Sequence, residues 1–172
     1  MGKKFELTDK FIINVFGIKL FQIKCTKSFK YAQKGDLGGY VEKEGNLDQE
    51  NDAWVSGDAQ VYGDARVSGN AWVYGDAWVY GDARVYGNAQ VYGNANIKNN
   101  NEHCGFDGFG SCNRHTHAYL TKEKKVEITC GCFRGSIEEF EKKVEETHSG
   151  TIYEKQYKAI INVIKIKFGL TD

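Results

Sequence analysis

The chain has 172 residues, of which 41% are hydrophobic and 13% aromatic, and its formal net charge is zero. This composition excludes a disordered chain. The sequence contains no run of about 18 apolar residues, so it predicts no transmembrane helix. We expect no secretory signal, because Asn14, Gly17 and Lys19 interrupt the apolar stretch 11–21 and no small-residue cleavage site follows it. The odd number of cysteines, five, then favours reduced thiols in a cytosol.

The zero net charge hides a segregation of charge along the chain. Residues 1–36 carry eight basic and three acidic side chains, whereas residues 37–96 carry three basic and nine acidic ones. A basic segment suits contact with RNA, and an acidic one suits a nucleic-acid-binding cleft. The alternative for the basic run is a solvated face. The candidates for phosphate contact are Lys19, Lys24, Lys27, Lys30 and Lys34.

Residues 1–36 predict a β-hairpin. Apolar residues alternate in short runs on both sides of Gly17, which is the natural position for a turn. We predict that this basic hairpin caps the first coil of the next segment, whose edge would otherwise be open to pairing.

Residues 37–98 form a repeat with a period of six. From Val55 onward each unit reads Val, Tyr or Ser, Gly, Asp or Asn, Ala and a variable residue. Ala and the next Val are two residues apart, so both face one side of a strand. The Gly–Asp or Gly–Asn dipeptide then turns the chain. Three such units close one coil, and the segment predicts about three coils. In the weaker first units, we expect the alanine position to be held by Val41, Leu47 and Ala53.

The outward positions of the predicted coils carry aromatic and arginine side chains. Residues 18 apart stack on one side, so Trp54 lies over Trp72 and Arg66 over Arg84. Ladder packing between coils and an exposed binding surface both explain such columns. If the columns are a binding surface, its residues are Trp54, Trp72, Trp78, Tyr62, Tyr80, Arg66 and Arg84.

Residues 99–172 predict a separate small α+β domain with two strands and two helices. The strands are expected near residues 118–120 and 126–129, and the glycine-rich stretch 105–111 is expected to be a connecting loop. Ser136 and Thr151 begin capping boxes, while Gly150 and Gly169 end the two helices.

Most of the histidines and cysteines lie between residues 103 and 132, and three interpretations compete. A structural zinc site would use His103, Cys104, Cys112, Cys130 and Cys132, although their spacing is unusual for zinc. Acid–base chemistry on RNA would use the imidazoles of His115 and His117 with the cation of Arg114 or Lys122, and His103 is a further candidate. The third interpretation is a set of buried thiols and polar strand residues with no chemistry.

The aliphatic and small residues of the repeat resemble the hexapeptide-repeat left-handed parallel β-helix family. The segments Lys34–Val41 and Cys130–Phe140 resemble small phage and prophage proteins of this kind. Among them, the three-part layout of hairpin, left-handed β-helix and C-terminal domain resembles a type II-A anti-CRISPR inhibitor. That resemblance implies a bacterial CRISPR effector nuclease and its guide RNA as partners, a host-cytoplasm location, no cofactor and no membrane.

Several functions follow as expectations. The first is an inhibitor docking on the nuclease–guide RNA complex, and a second adds guide-RNA cleavage within that complex. A structural or homo-oligomeric phage protein without enzymatic activity is a third. A hexapeptide acyltransferase is disfavoured, because residues 55–96 contain neither a long insertion nor a histidine.

Overall fold

The computed structural model describes residues 2–170, which form two compact units that divide between Asn100 and Asn101. The first unit contains an N-terminal antiparallel hairpin and a β-solenoid of about three turns. The second contains a β-sheet with two helices. The predicted fold class is therefore confirmed, but the sheet of the second unit has four strands where the sequence predicts two, because the backbone also pairs at both of its edges.

The N-terminal hairpin occupies the edge of the first coil, as the sequence predicts. Its strands β1 (Phe5–Ile13) and β2 (Lys19–Cys25) pair antiparallel, and Gly17 turns the chain with a φ of 77°. Strand β2 also pairs antiparallel with β3 (Leu37–Val41), the first strand of the solenoid. The hairpin thereby satisfies backbone groups that an open edge would leave unpaired.

The solenoid stacks short parallel strands on three sides. Val and Ala line the interior, and from Ala53 to Ile97 their side chains are almost completely buried. The corner glycines take positive φ: at Gly69 φ is 67°, and an added Cβ would lie 3.0 Å from the backbone nitrogen of Gly87. The remaining strands of the solenoid are β4 (Trp54–Val55), β5 (Gln60–Val61), β6 (Arg66–Val67), β7 (Trp72–Val73), β8 (Trp78–Val79), β9 (Arg84–Val85), β10 (Gln90–Val91) and β11 (Asn96–Ile97).

The first coil is two residues longer than the others. Val41 pairs with Val61 and Leu47 with Val67, twenty residues away, whereas Val55 pairs with Val73, eighteen residues away. The prediction that Val41 and Leu47 hold the alanine position is therefore wrong, because both hold the valine position. The extra residues lie between Leu47 and Val55, where a weak repeat hides the insertion.

The second unit packs two helices on one face of a sheet. In residues 101–170 the sheet has the order β12 (His103–Phe109), β13 (Arg114–Leu120), β14 (Val126–Cys130) and β15 (Phe133–Gly135), and the helices are α1 (Ile137–His148) and α2 (Ile152–Lys167). Both predicted capping residues, Ser136 and Thr151, accept a hydrogen bond from the backbone N–H three residues on. The glycine-rich stretch is mostly strand β12 rather than a loop, because its backbone is paired with β13.

Neither helix of residues 2–170 has the length and apolar composition that a membrane span requires.

Candidate binding surface

The N-terminal segment packs on aromatic columns of two solenoid sides. On one side Tyr62 stacks on Tyr80 with ring centroids 5.1 Å apart, and the Phe16 ring lies 6.5 Å from each of them. On a second side Tyr31 stacks on Trp72 at 4.9 Å. The aromatic columns are thus partly an intramolecular packing surface.

Two of the predicted binding residues are buried by this packing. Trp54 is 1% exposed and meets the Phe29 ring edge to face at 5.4 Å, and Tyr62 is 3% exposed. Burial raises the pKa of the Tyr62 hydroxyl above its usual value. The expectation that these two side chains are exposed is wrong, because residues of the N-terminal segment cover them. Trp72, Trp78 and Tyr80 remain half-buried.

The end of the hairpin presents a group of exposed apolar side chains, which we call the tip cluster: Phe11, Ile13, Val15 and Phe16, with 49%, 65%, 77% and 61% of their surface exposed. The Asn14 side-chain oxygen accepts hydrogen bonds from the backbone N–H groups of Phe16 and Ile18, both at 3.0 Å. These bonds hold the turn in one shape. The alternation of apolar residues up to Gly17 is visible in the sequence, but it does not show which of these side chains stay exposed.

The five candidate lysines of residues 1–36 are all exposed. Lys19 lies over the Phe11 ring, with Nζ 4.0 Å from the centroid, and Lys30 lies over the Tyr31 ring at 4.8 Å. Within residues 2–170 none of the five is joined to a carboxylate by an ion pair. Their charges are therefore available to a partner, and whether they contact phosphate stays a prediction.

Arg66 and Arg84 lie on the third side, which carries none of the aromatic packing described above. They are direct neighbours in the parallel pair β6–β9, and both side chains are exposed. A groove of about 650 Å³ runs along this side, and its lining includes both arginines, Ser68 and Tyr86.

The candidate catalytic residues are divided between the two faces of the C-terminal sheet. His115 and His117 share one face, and His117 shares a 3.0 Å hydrogen bond with His103. Arg114 alternates with them and lies against Gly131, where an added Cβ would meet Arg114 Cδ at 2.7 Å. The structure therefore brings the two histidines together but places Arg114 on the opposite face.

These histidines are poorly placed for contact with a large substrate. His117 is 1% exposed and His103 is 8% exposed, and burial lowers the pKa of the His103 imidazole to about 4. His115 has one carboxylate neighbour, with Nδ1 2.8 Å from Asp107 Oδ1. In the His115–Asp107 pair, the carboxylate is close enough to orient the imidazole.

The residues of the zinc interpretation do not converge. Cys104 and Cys130 pack with the helix-facing core, whereas His103 lies on the other face and Cys112 and Cys132 are exposed. Burial raises the pKa of the Cys104 thiol to about 11, which disfavours the thiolate that binds zinc. In the part of the chain that the structure describes, no three His, Cys, Asp or Glu side chains are grouped closely enough to hold a metal.

The central repeat has a counterpart among known protein families. Residues 59–75 and 77–93 match the family model described as YdcK Beta solenoid repeat. Both stretches lie inside the solenoid and cover a minority of the chain, so the match supports the repeat fold alone. No curated protein matches the chain.

Proposed function

We propose that this chain is a binding protein that inhibits a bacterial type II-A CRISPR effector nuclease by docking on its complex with guide RNA. The choice of target rests on the resemblance of residues 34–41 and 130–140 to phage and prophage proteins. The observation that carries the docking is the tip cluster, where four apolar side chains stand exposed at the end of one hairpin.

The tip cluster has the chemistry of a protein contact. Exposed apolar side chains lose contact with water when a partner covers them, and burial of apolar surface is the main favourable contribution to most protein–protein association. The Phe16 ring extends this surface toward Trp78, with centroids 6.1 Å apart. Lys19 beside the Phe11 ring adds a positive rim that suits an RNA-bearing partner.

The docking proposal is tested with the guide-loaded nuclease and a double variant, Ile13→Gln with Val15→Gln. Both side chains are largely exposed, so the fold should tolerate the change. We expect the wild type to be retained on the complex and to block DNA cleavage, and the double variant to bind at least about tenfold more weakly. Ile166→Gln changes an equally exposed isoleucine of α2 and should act as the wild type does.

Two results would overturn the proposal. One is a wild-type protein that neither binds the complex nor slows cleavage, which would favour a structural role without enzymatic activity. The other is a double variant that inhibits as strongly as the wild type, which would remove the tip cluster from the contact.

Guide-RNA cleavage within the same complex is a second candidate, favoured by the 2.8 Å contact between His115 and Asp107. A carboxylate beside an imidazole can orient it as a general base. If His115 acts so, the wild type shortens guide RNA on a denaturing gel and His115→Gln does not, whereas His148→Gln has no effect. Intact guide RNA with the wild type would leave inhibition by binding alone.

A further inference from the structure

The third side of the solenoid holds two like charges in register. Arg66 is paired with Arg84 in the parallel ladder of β6 and β9, and neighbouring parallel strands are about 4.8 Å apart. Like charges that face each other across a ladder destabilise the sheet. The pair is therefore a cost to folding unless something else compensates it.

The fold itself does not require arginine at this position. On the other two sides the same outward position is held by neutral residues, among them Gln60 and Gln90. In residues 2–170 no carboxylate forms an ion pair with Arg66 or Arg84. Two positive charges are thus held together where a neutral amide would serve the solenoid equally well.

The acidic residues of the same groove are occupied elsewhere. Glu44 accepts a hydrogen bond from the ammonium group of Lys3 at 2.6 Å, and Asp48 accepts one from the backbone N–H of Glu50 at 3.0 Å. Both border the groove, so an anion that binds the arginines is confined to the part of the groove away from them. This favours a short anionic segment over a broad one.

An aromatic ring stands next to the arginine pair. Tyr86 follows Arg84 by two residues, so both side chains leave the strand on the same face. Its ring is 66% exposed, the largest exposure among the apolar and aromatic side chains of the repeat. A flat exposed ring beside guanidinium groups combines a stacking surface with donors for phosphate oxygens.

We propose that Arg66, Arg84 and Tyr86 bind single-stranded nucleic acid, with the guanidinium groups on the phosphate backbone and the Tyr86 ring stacked on a neighbouring base. The guanidinium fork matches the geometry of phosphate oxygens, and stacking on a ring accepts any base. The inference goes beyond the proposed inhibition, since it concerns the free protein and needs no effector nuclease.

The test measures binding of a short fluorescein-labelled oligouridine to the free protein over a range of salt concentrations. Arg66→Gln with Arg84→Gln should weaken binding at least about tenfold and reduce the slope of log K against log salt by about 1.4, the share of two phosphate contacts. Tyr86→Ala should weaken binding about tenfold with the slope unchanged.

A matched variant controls for net charge. Lys142→Gln with Lys155→Gln removes two exposed charges from the helices and should bind as the wild type does. The double arginine variant should fold, because glutamine occupies the equivalent positions Gln60 and Gln90. Its unfolding midpoint in low salt without ligand should equal or exceed that of the wild type, since the repulsion is gone.

Three results would overturn the inference. The first is a wild-type protein that does not bind oligouridine, and the second is a double arginine variant that binds it as tightly as the wild type. The third is a polyglutamate peptide that competes more strongly than unlabelled oligouridine, which would indicate a protein carboxylate as the ligand. Inhibition of the nuclease without oligouridine binding would refute this inference and leave the proposed function standing. Oligouridine binding without inhibition of the nuclease would support this inference and refute the proposed function.

Discussion

Lys4 closes the open end of the first coil with a buried ammonium group. Its Nζ donates hydrogen bonds to the backbone oxygens of Ala53 at 2.7 Å, Glu50 at 3.1 Å and Asn51 at 3.2 Å. Burial outweighs the nearby carboxylates and lowers the pKa of the ammonium group to about 8. A single side chain therefore satisfies three carbonyl groups at the open end of the solenoid, at the cost of removing a charge from water.

The pH dependence of folding should reveal this buried amine. Between pH 8 and 10.5 the unfolded chain keeps the Lys4 proton while the folded chain has lost it, so this group adds stability as the pH rises. We expect Lys4→Met to lack that rise when the free energy of unfolding is measured in urea across the window. Lys10→Met, an exposed change in the same hairpin, should keep it. Identical slopes in both variants would contradict this account.

His103 has the same kind of effect in the acidic range. Burial lowers the pKa of its ring to about 4 from 6.5, so between these values the unfolded chain binds a proton that the folded chain does not. Stability is therefore lost as the pH falls from 6.5 toward 4.

We expect His103→Gln to reduce this loss on the acid side. Chemical denaturation at neutral and at mildly acidic pH should show a smaller difference for His103→Gln than for the wild type. His148→Gln should leave the difference unchanged. A full acid sensitivity in His103→Gln would assign the effect to other groups.

At the scale of elements, the hairpin acts both as an edge cap and as a clamp on the solenoid. Its strands continue the sheet from β3, and its turn lays Phe16 against rings from two different coils, Tyr62 and Tyr80. The edge pairing is backbone chemistry that tolerates many sequences, whereas the clamp depends on one aromatic residue. A mutation of this aromatic residue should therefore remove the clamp and leave the edge pairing in place.

Phe16→Ala should release the turn and leave the solenoid intact. We expect faster hydrogen exchange in residues 9–21, altered tryptophan fluorescence from Trp78 and a loss of about 1 kcal/mol or less in overall stability, because the ring is only partly buried. Val15→Ala removes a side chain of greater exposure at the same turn and should leave exchange unchanged. Equal exchange in the two variants would show that the clamp is unimportant.

At the scale of the whole molecule, charge is segregated rather than absent. The excess of basic side chains in residues 1–36 nearly cancels the excess of acidic ones in the repeat, yet the candidate lysines and most of these carboxylates are exposed to solvent. A local field of this kind accelerates encounter with a charged partner more than it strengthens the final complex. We therefore expect the charges to set the association rate of docking, and the tip cluster to set the affinity of the complex.

Replacing the five candidate lysines by glutamine separates these roles. For binding to the guide-loaded nuclease, we expect a slower association rate with weaker salt dependence and a nearly unchanged dissociation rate. Surface plasmon resonance at several salt concentrations measures both. The Ile13→Gln, Val15→Gln variant should show the converse, a faster dissociation rate. A change confined to dissociation in the lysine variant would refute electrostatic steering.

The sequence by itself determined the solenoid and the helices, because their signals are local. A six-residue period with Ala and Val on one face of a strand specifies a coil wherever it is repeated, and Ser136 and Thr151 cap helices through neighbours three residues away. The positions of Leu47 and Val41 are not fixed by this local signal, because a weak repeat hides two inserted residues. The flanking strands β12 and β15 of the C-terminal sheet also have weak local signals, since β12 is rich in glycine and β15 has only three residues.

Only the tertiary structure decided which outward side chains are available for binding. Trp54 and Tyr62 are covered by Phe29 and Phe16, which come from a segment that precedes them in the chain by 25 residues or more. Repeat periodicity assigns a side chain to the outside of a coil but contains no information about a distant segment that packs there. Coverage of two sides of the solenoid by rings, with a third side carrying Arg66 and Arg84, is a property of long-range packing.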